Sequence, residues 1–233
     1  PHSSANIIRL GNFIPLGGNG GWDAGLLMQA AIDQAAEDVN AATSVLSGVT
    51  LEIVTGDSEC REGPAIKAFI DAIGDKAKPL HGVMTGCSSG SGAIAGIAPL
   101  YRLTQISGIS SAGGLSDTTR FPRFLRTMNA DTYFAQTWVK LCARYGWKRA
   151  AVLAEVGASG LYSATAHGFN SRATAAGIDV TVFDANMSPG TTDAALDGVA
   201  QTLAATHTRI VFFSASELLG ARLLCRAWKA GLA

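Results

Sequence analysis

The chain reads as an α/β protein of two lobes, each a parallel sheet flanked by helices. Three observations point there. Short apolar runs suited to buried strands alternate with amphipathic stretches at helical spacing, at intervals of about 25 to 35 residues. The series opens β, α, β, α, β, α, β, and right-handed crossovers turn such a series into a parallel, doubly wound sheet. The alternation then lapses once, between Ser116 and Asp131, and restarts. That lapse divides the chain into a first lobe over residues 1–128 and a second over 129–233, joined by a crossover near Arg126 to Asp131.

Residues 6–14, NIIRLGNFI, read as the first strand. The loop PLGGNGGW follows and satisfies neither GxGxxG nor GxxxxGK[ST], so a phosphate-cradling reading is set aside. It places Trp22 at a strand's carboxyl edge, either as a staple on the next helix or as a ligand contact. A helix is expected from about Asp23 to Asn40, with Met28, Ile32, Ala35 and Val39 as its buried stripe. A strand over 50–55 leads through GDSECREGP to a helix from Pro64, a residue suited to a first helical turn, to Ile73.

Residues 80–116 hold the richest signal. The apolar run 80–85 suits a buried strand, the segment 86–92 (GCSSGSG) combines turn formers with hydroxyls, and 93–100 continues as a helix. The next strand, 103–109, delivers Ser110 and Ser111 to the same edge. In open α/β sheets ligands sit beyond the strands' carboxyl ends, where a helix start offers unpaired amides to an anion. Ser88, Ser89, Ser110 and Ser111 are therefore candidates to hold a carboxylate or phosphate; the plainer reading makes them helix caps and turn serines.

In 117–130, Arg120, Arg123 and Arg126 interrupt the apolar pattern. Phe134, Trp138, Leu141 and Tyr145 then form a helical stripe ended by Gly146. Strands over 149–154, 178–183 and 209–213 alternate with helices over 160–176, 192–205 and 217–229. With only three strands, the second lobe reads as part of a larger one, and the chain as a fragment.

The 233 residues are 48% apolar and 15% charged, with 18 basic residues against 18 acidic, so nothing favours nucleic acid or an anionic membrane as partner. No apolar stretch approaches the ~18 residues needed to span a bilayer, and PHSSAN lacks the regions of a signal peptide. Cys60, Cys87, Cys142 and Cys225 match no zinc or CxxC spacing, so neither metal nor cofactor is expected. Cys60 and Cys87 follow consecutive strands and share one rim. A disulfide there would contribute roughly 3 to 4 kcal/mol and imply an oxidising compartment; two unrelated thiols in a cytosolic protein is the other reading. Cys142 reads as a buried free thiol, and the partner of Cys225 is expected beyond Ala233.

Across nearly the whole chain, GGW, AAEDVN, DSEC, GCSS, QIS…SS…LSDTTRFPRFLRT, VKLCARYGWKRAAVL and LLCRAWK occur in an order and spacing that resemble the extracellular ligand-binding domain of type B GABA receptors. More loosely, the chain is similar to the class C receptor and periplasmic-binding-protein type I superfamily. The resemblance implies a Venus-flytrap clamp closing on an amino-acid-like ligand, coupled to a membrane signalling module. It places the family's ligand-holding residues on Trp22, Ser88 and Ser111, and its first disulfide on Cys60 and Cys87. Two positions depart: Met128 stands where the GABA-binding subunit has a histidine, and Ser216 where it has a tyrosine. The family's acidic partner for the ligand's amine falls past the end of this chain. Tyr162 is the nearest match to a second-lobe tyrosine of glutamate-type relatives.

The expected function is thus an extracellular domain that binds a small carboxylate-bearing ligand, with Tyr162 and Ser216 as second-lobe contacts. A homo- or heterodimer through the first lobe is expected from the apolar face of the helix over 64–73, with Phe69 and Ile73, unless that face packs on its own sheet. A periplasmic solute-binding protein for amino-acid uptake is the alternative. A serine hydrolase is a further one, since GCSSG satisfies GxSxG between strand and helix, but it lacks an upstream HGGG-type segment and a well-placed histidine.

Overall fold

Residues NIIRLGNFI form β1 (Asn6–Ile14), and the first unit is assembled around it. The computed structural model describes residues 6–17, 24–157, 160–184, 187–188 and 190–232, and divides into two units, Pro1–Asn129 and Ala130–Ala233. In the first unit β1 pairs in parallel with β2 (Val49–Asp57) along its whole length, and with β3 (Gly82–Thr85) on its other side. β4 (Gln105–Ser107) and β5 (Phe124–Arg126) extend this to a five-stranded parallel sheet of order β2-β1-β3-β4-β5.

Three α-helices follow β1, β2 and β3: α1 (Gly25–Ala41), α2 (Glu62–Ile73) and α3 (Ser88–Ile97). The core joins Phe13 of β1, Phe69 of α2, Val83 of β3 and Ile94 of α3, all buried. Phe13 and Phe69 meet edge to face with ring centroids 5.9 Å apart, a geometry that suits the ring quadrupoles. Two glycines permit close approaches. A Cβ on Gly25 would fall 1.3 Å from the carbonyl oxygen of Pro15, so only glycine lets α1 begin there. A Cβ on Gly90 would meet that of Ala65 at 3.1 Å, where α3 crosses α2.

The first unit corrects several expectations. α3 starts at Ser88 rather than near Ala93, so GCSSGSG is mostly helix, and Ala98–Tyr101 continues it as a 3-10 turn. The lapse after Ser116 contains β5, an edge strand whose Phe124 is buried while Leu125 faces out, which leaves little apolar signal. In α1 Gly25 and Ala36 are buried and Met28, Ile32 and Val39 half-buried, whereas Ala35 is exposed. Phe69 is 0% exposed and Ile73 packs against the same core, so the face of α2 expected to pair with a second copy lies on its own sheet.

The second unit is a three-stranded parallel sheet of order β7-β6-β8, from β6 (Arg149–Ala154), β7 (Asp179–Phe183) and β8 (Val211–Ser214). Its helices are α4 (Thr132–Tyr145), α5 (Leu161–Ala175), α6 (Asp193–Ala205) and α7 (Glu217–Lys229). Side chains alternate along β6, and both faces are covered. Ala150, Val152 and Ala154 meet a cluster with residues of α4 and α5, while Ala151 and Leu153 meet Leu196, Leu203, Leu219 and Leu223 of α6 and α7. Trp138 of α4 stacks on Phe212, centroids 5.0 Å apart. The expected stripe of α4 is otherwise turned outward: Phe134, Leu141 and Tyr145 are exposed, and the small Ala135 and Cys142 are buried instead. Small residues let α4 lie close on α5, where Ala135 is near Gly168.

Candidate functional site

In the first sheet the chain order reverses between β1 and β3. A crevice opens at such a switch point beyond the carboxyl ends of the strands. β3 ends at Thr85, the Gly86 amide donates to the Phe13 carbonyl at 3.0 Å, and α3 begins two residues later with Ser88. Trp22, expected at this edge, lies outside the described residues.

The two serine turns meet here. The Ala112 amide donates to Ser88 Oγ at 3.1 Å, so the first residue of α3 touches the turn that carries Ser110 and Ser111. Having accepted this bond, the Ser88 hydroxyl still has its own proton to donate. Ser89 is half-buried on the same helical turn, and Ser111 is 9% exposed. Ser110 is different: it is 0% exposed, and its hydroxyl meets Ser91 Oγ at 2.6 Å and Ser107 Oγ at 2.8 Å. It is part of the support, which corrects its expected role as a ligand contact.

Beneath the edge lies a buried web of neutral groups. Ser91 Oγ donates to Thr85 Oγ1 (2.7 Å), Gln105 Nε2 donates to Thr85 Oγ1 (2.8 Å), and Ser107 Oγ donates to the Thr85 carbonyl (2.7 Å). The Cys60–Cys87 disulfide, Cα–Cα 5.4 Å, ties the loop after β2 to the residue before Ser88. Cys142 is a buried free thiol, its pKa raised by burial, and Cys225 is an exposed one.

Arg126 was not a candidate from sequence. β5 pairs it with Ser107, and its Nη1 donates to the carbonyls of Ser110 (3.2 Å) and Ala112 (3.0 Å), while Nη2 donates to Ser116 Oγ. A guanidinium therefore lies beside turns that have no basic neighbour in sequence. Among the described residues Arg126 has no carboxylate ion-pair partner. Missing β5 hid it.

In the second sheet the order reverses between β6 and β8. Glu155 follows β6 and Ser216 follows β8; the Ser216 amide donates to Glu155 Oε2 at 2.7 Å, and Ser214 Oγ donates to the Tyr162 carbonyl at 2.8 Å. These bonds bring Tyr162, Ser216 and the unforeseen Glu155 together. Burial, then the carboxylates of Glu155 and Asp131, raise the Tyr162 phenol above its ordinary pKa. An acidic residue directly after a buried strand, as in AVLAE, is the signal that could have found Glu155.

The nucleophile reading of GCSSG finds no support in the first unit. Its one described histidine, His81, precedes the amino end of β3 and accepts from the Arg9 amide at 3.1 Å, a strand's length from Ser88. Cys87 is in the disulfide. Among the described residues no cluster of three or more His, Cys, Asp or Glu could hold a metal, and no helix is long and apolar enough to cross a membrane.

The family model for the receptor family ligand binding region matches residues 27–233. Gamma-aminobutyric acid type B receptor subunit 1 of Mus musculus is 34% identical over 182 residues, 78% of this chain and 18% of that protein. Subunit 2 of Homo sapiens is 32% identical over 114 residues, 48% of this chain and 12% of that protein. Metabotropic glutamate receptor 8 of Homo sapiens is 32% identical over 151 residues, 56% of this chain and 16% of that protein. The chain spans less than a fifth of the length of these relatives.

Proposed function

This chain belongs to the receptor family ligand binding region, and from that premise we propose that it is the extracellular ligand-binding domain of a class C, G protein-coupled type of membrane receptor. It binds a small carboxylate-bearing, amino-acid-like ligand by the clamshell closure that the resemblance implies, and performs no chemistry on it. The observation that carries the reading is the Ala112 to Ser88 bond, which joins two hydroxyl-rich turns at a sheet's switch point. Ser88, Ser89 and Ser111, with amides of the first turn of α3, are the donors for the carboxylate, and Arg126 supplies positive charge beside them. Trp22 covers the ligand's apolar body, and Tyr162 and Ser216 serve as second-lobe contacts.

The disulfide fits an extracellular setting. The relatives are receptors rather than enzymes, and subunits 1 and 2 of one receptor type are among them. A membrane signalling module in the parent chain and a second receptor subunit as partner follow as proposals. Gamma-aminobutyric acid, for which those subunits are named, is expected to bind weakly, because Met128 and Ser216 replace the histidine and tyrosine of the resemblance. An α-amino acid or another carboxylate is expected to bind better.

Calorimetric titration of the complete ectodomain with the twenty amino acids, gamma-aminobutyric acid and dicarboxylates tests the reading. A carboxylate whose affinity falls on Ser88→Ala and Ser111→Ala supports it. No binding across that panel, or an affinity indifferent to both substitutions, refutes it.

A further inference from the structure

The three strands of the second sheet run parallel, so their amino ends share the edge opposite Glu155 and Ser216. A cavity of about 430 Å³ opens at that amino edge. Three cations line it, Lys148, Arg149 and Arg209, against one carboxylate, Asp179. Asp179 lies 3.7 Å from Arg149, and both side chains are more than half exposed, so water screens the pair. Among the described residues Lys148 and Arg209 have no ion-pair partner. The plain reading is that these cations complement the carboxyl ends of α4, α5 and α6, which stop just before β6, β7 and β8. Backbone amides already cap those ends: Trp147 donates to the Cys142 carbonyl (2.8 Å), Ile178 to Ala173 (2.9 Å) and His207 to Ala204 (3.1 Å). A second observation lies outside that reading altogether. Thr208 lines the same cavity, is 2% exposed, and its Oγ1 is buried with no hydrogen-bond partner. A hydroxyl withdrawn from water and left unpaired costs stability, and a ligand that accepts its proton removes that cost.

We propose that this cavity binds a tetrahedral oxyanion, a phosphate or sulfate group, free or carried by a small organic molecule. Lys148 and Arg209 supply the charge, the guanidinium offering paired donors suited to such a group, and the Thr208 hydroxyl supplies a neutral donor. Trp147 and Ile210 give the cavity an apolar wall. Its volume falls within the roughly 300–1,000 Å³ typical of small-molecule sites, which leaves room for the body of an ester beside its anionic group. The site belongs to the second unit alone and does not depend on the carboxylate ligand proposed above.

The test is calorimetry on the complete ectodomain in a buffer free of both ions, with inorganic phosphate, inorganic sulfate, phenyl phosphate and phenyl sulfate as probes. At least one probe is expected to bind, and Lys148→Gln combined with Arg209→Gln to lower its affinity tenfold or more. Both side chains are exposed, so the fold is expected to survive. Lys140→Gln combined with Lys229→Gln removes two exposed cations elsewhere in the same unit, and Ser88→Ala alters the first-lobe edge; both are expected to leave the affinity unchanged. Thr208→Val, close in shape, is expected to weaken the bound probe severalfold while raising the melting temperature of the unliganded protein, since an unpaired buried hydroxyl is removed. An ester that binds more tightly than its inorganic ion supports the site with an organic carrier, and equal affinities support it for the free ion. Failure of all four probes to bind, a loss as large in the Lys140 and Lys229 control, or an affinity indifferent to Thr208→Val or to the Lys148 and Arg209 pair overturns the site.

Discussion

Cutting the Cys60–Cys87 bridge tests how the first-lobe edge is held. The two residues are 27 apart in sequence. The chain-entropy relation for a closed loop of that length gives about 12 cal/mol/K, or about 3.6 kcal/mol at 25 °C, as the stabilisation lost when both become alanine. The backbone adds a second, separable quantity. Cys60 and Cys87 have φ of 55° and 66°, in the left-handed region where a Cβ costs about 1–2 kcal/mol per residue. Replacing both by glycine breaks the same bridge and relieves that strain. The glycine pair is therefore expected to be more stable than the alanine pair, the reverse of glycine's usual rank. Hydrogen exchange read by mass spectrometry on the whole chain reports the two units separately, so a mixed unfolding transition does not blur the result. Peptide mapping without reduction confirms the pairing. A loss under about 1 kcal/mol in the alanine pair, against the loop-closure value above, refutes the entropy argument. An alanine pair as stable as the glycine pair refutes the strain argument.

Arg126→Gln removes the guanidinium bonds to the Ser110 and Ala112 carbonyls. A stability loss of about 2–3 kcal/mol is expected, with weaker carboxylate binding that Arg126→Lys only partly restores; thermal melts and calorimetry measure both. Phe69→Ala should cost about 3–5 kcal/mol, because the ring is fully buried, and should leave the sedimentation mass unchanged. Asp193 is held below the ordinary carboxylate pKa, chiefly by its hydrogen bond from Arg222 and then by the charges of Arg226 and Arg222. A lowered folded-state pKa gives stability that is present above the unfolded value and lost as pH falls through the folded one. Acid unfolding below about pH 4 should therefore be shallower in Asp193→Asn than in wild type.

The alternation of strands and helices was legible because most elements here are buried on a face or a stripe whose period survives in the sequence. α7 has the expected bounds for that reason, and β6, covered on both faces, has them because it reads as a continuous apolar run. β5 was not legible: a three-residue edge strand with one face in solvent leaves Phe124 as its one buried apolar mark. The start of α3 was misread because serine and glycine are weak helix formers, and what holds them helical is contact with α2 at Ala65 and Gly90. The serine turns could be placed at one edge from strand order alone. Their union through Ser88 and Ala112, the removal of Ser110 into the support, and the arrival of Arg126 and Glu155 all depend on pairings between distant segments. Composition and period do not encode such pairings locally.

The neutral web of Thr85, Ser91, Gln105, Ser107 and Ser110 has a consequence for how the protein behaves across compartments. None of these hydroxyl and amide groups gains or loses charge between about pH 5 and 8. An anion docked on the first-lobe edge meets the same surroundings at a neutral cell surface as in an acidifying vesicle. Acid-driven ligand release, should the parent receptor show it, has to originate in groups outside this web.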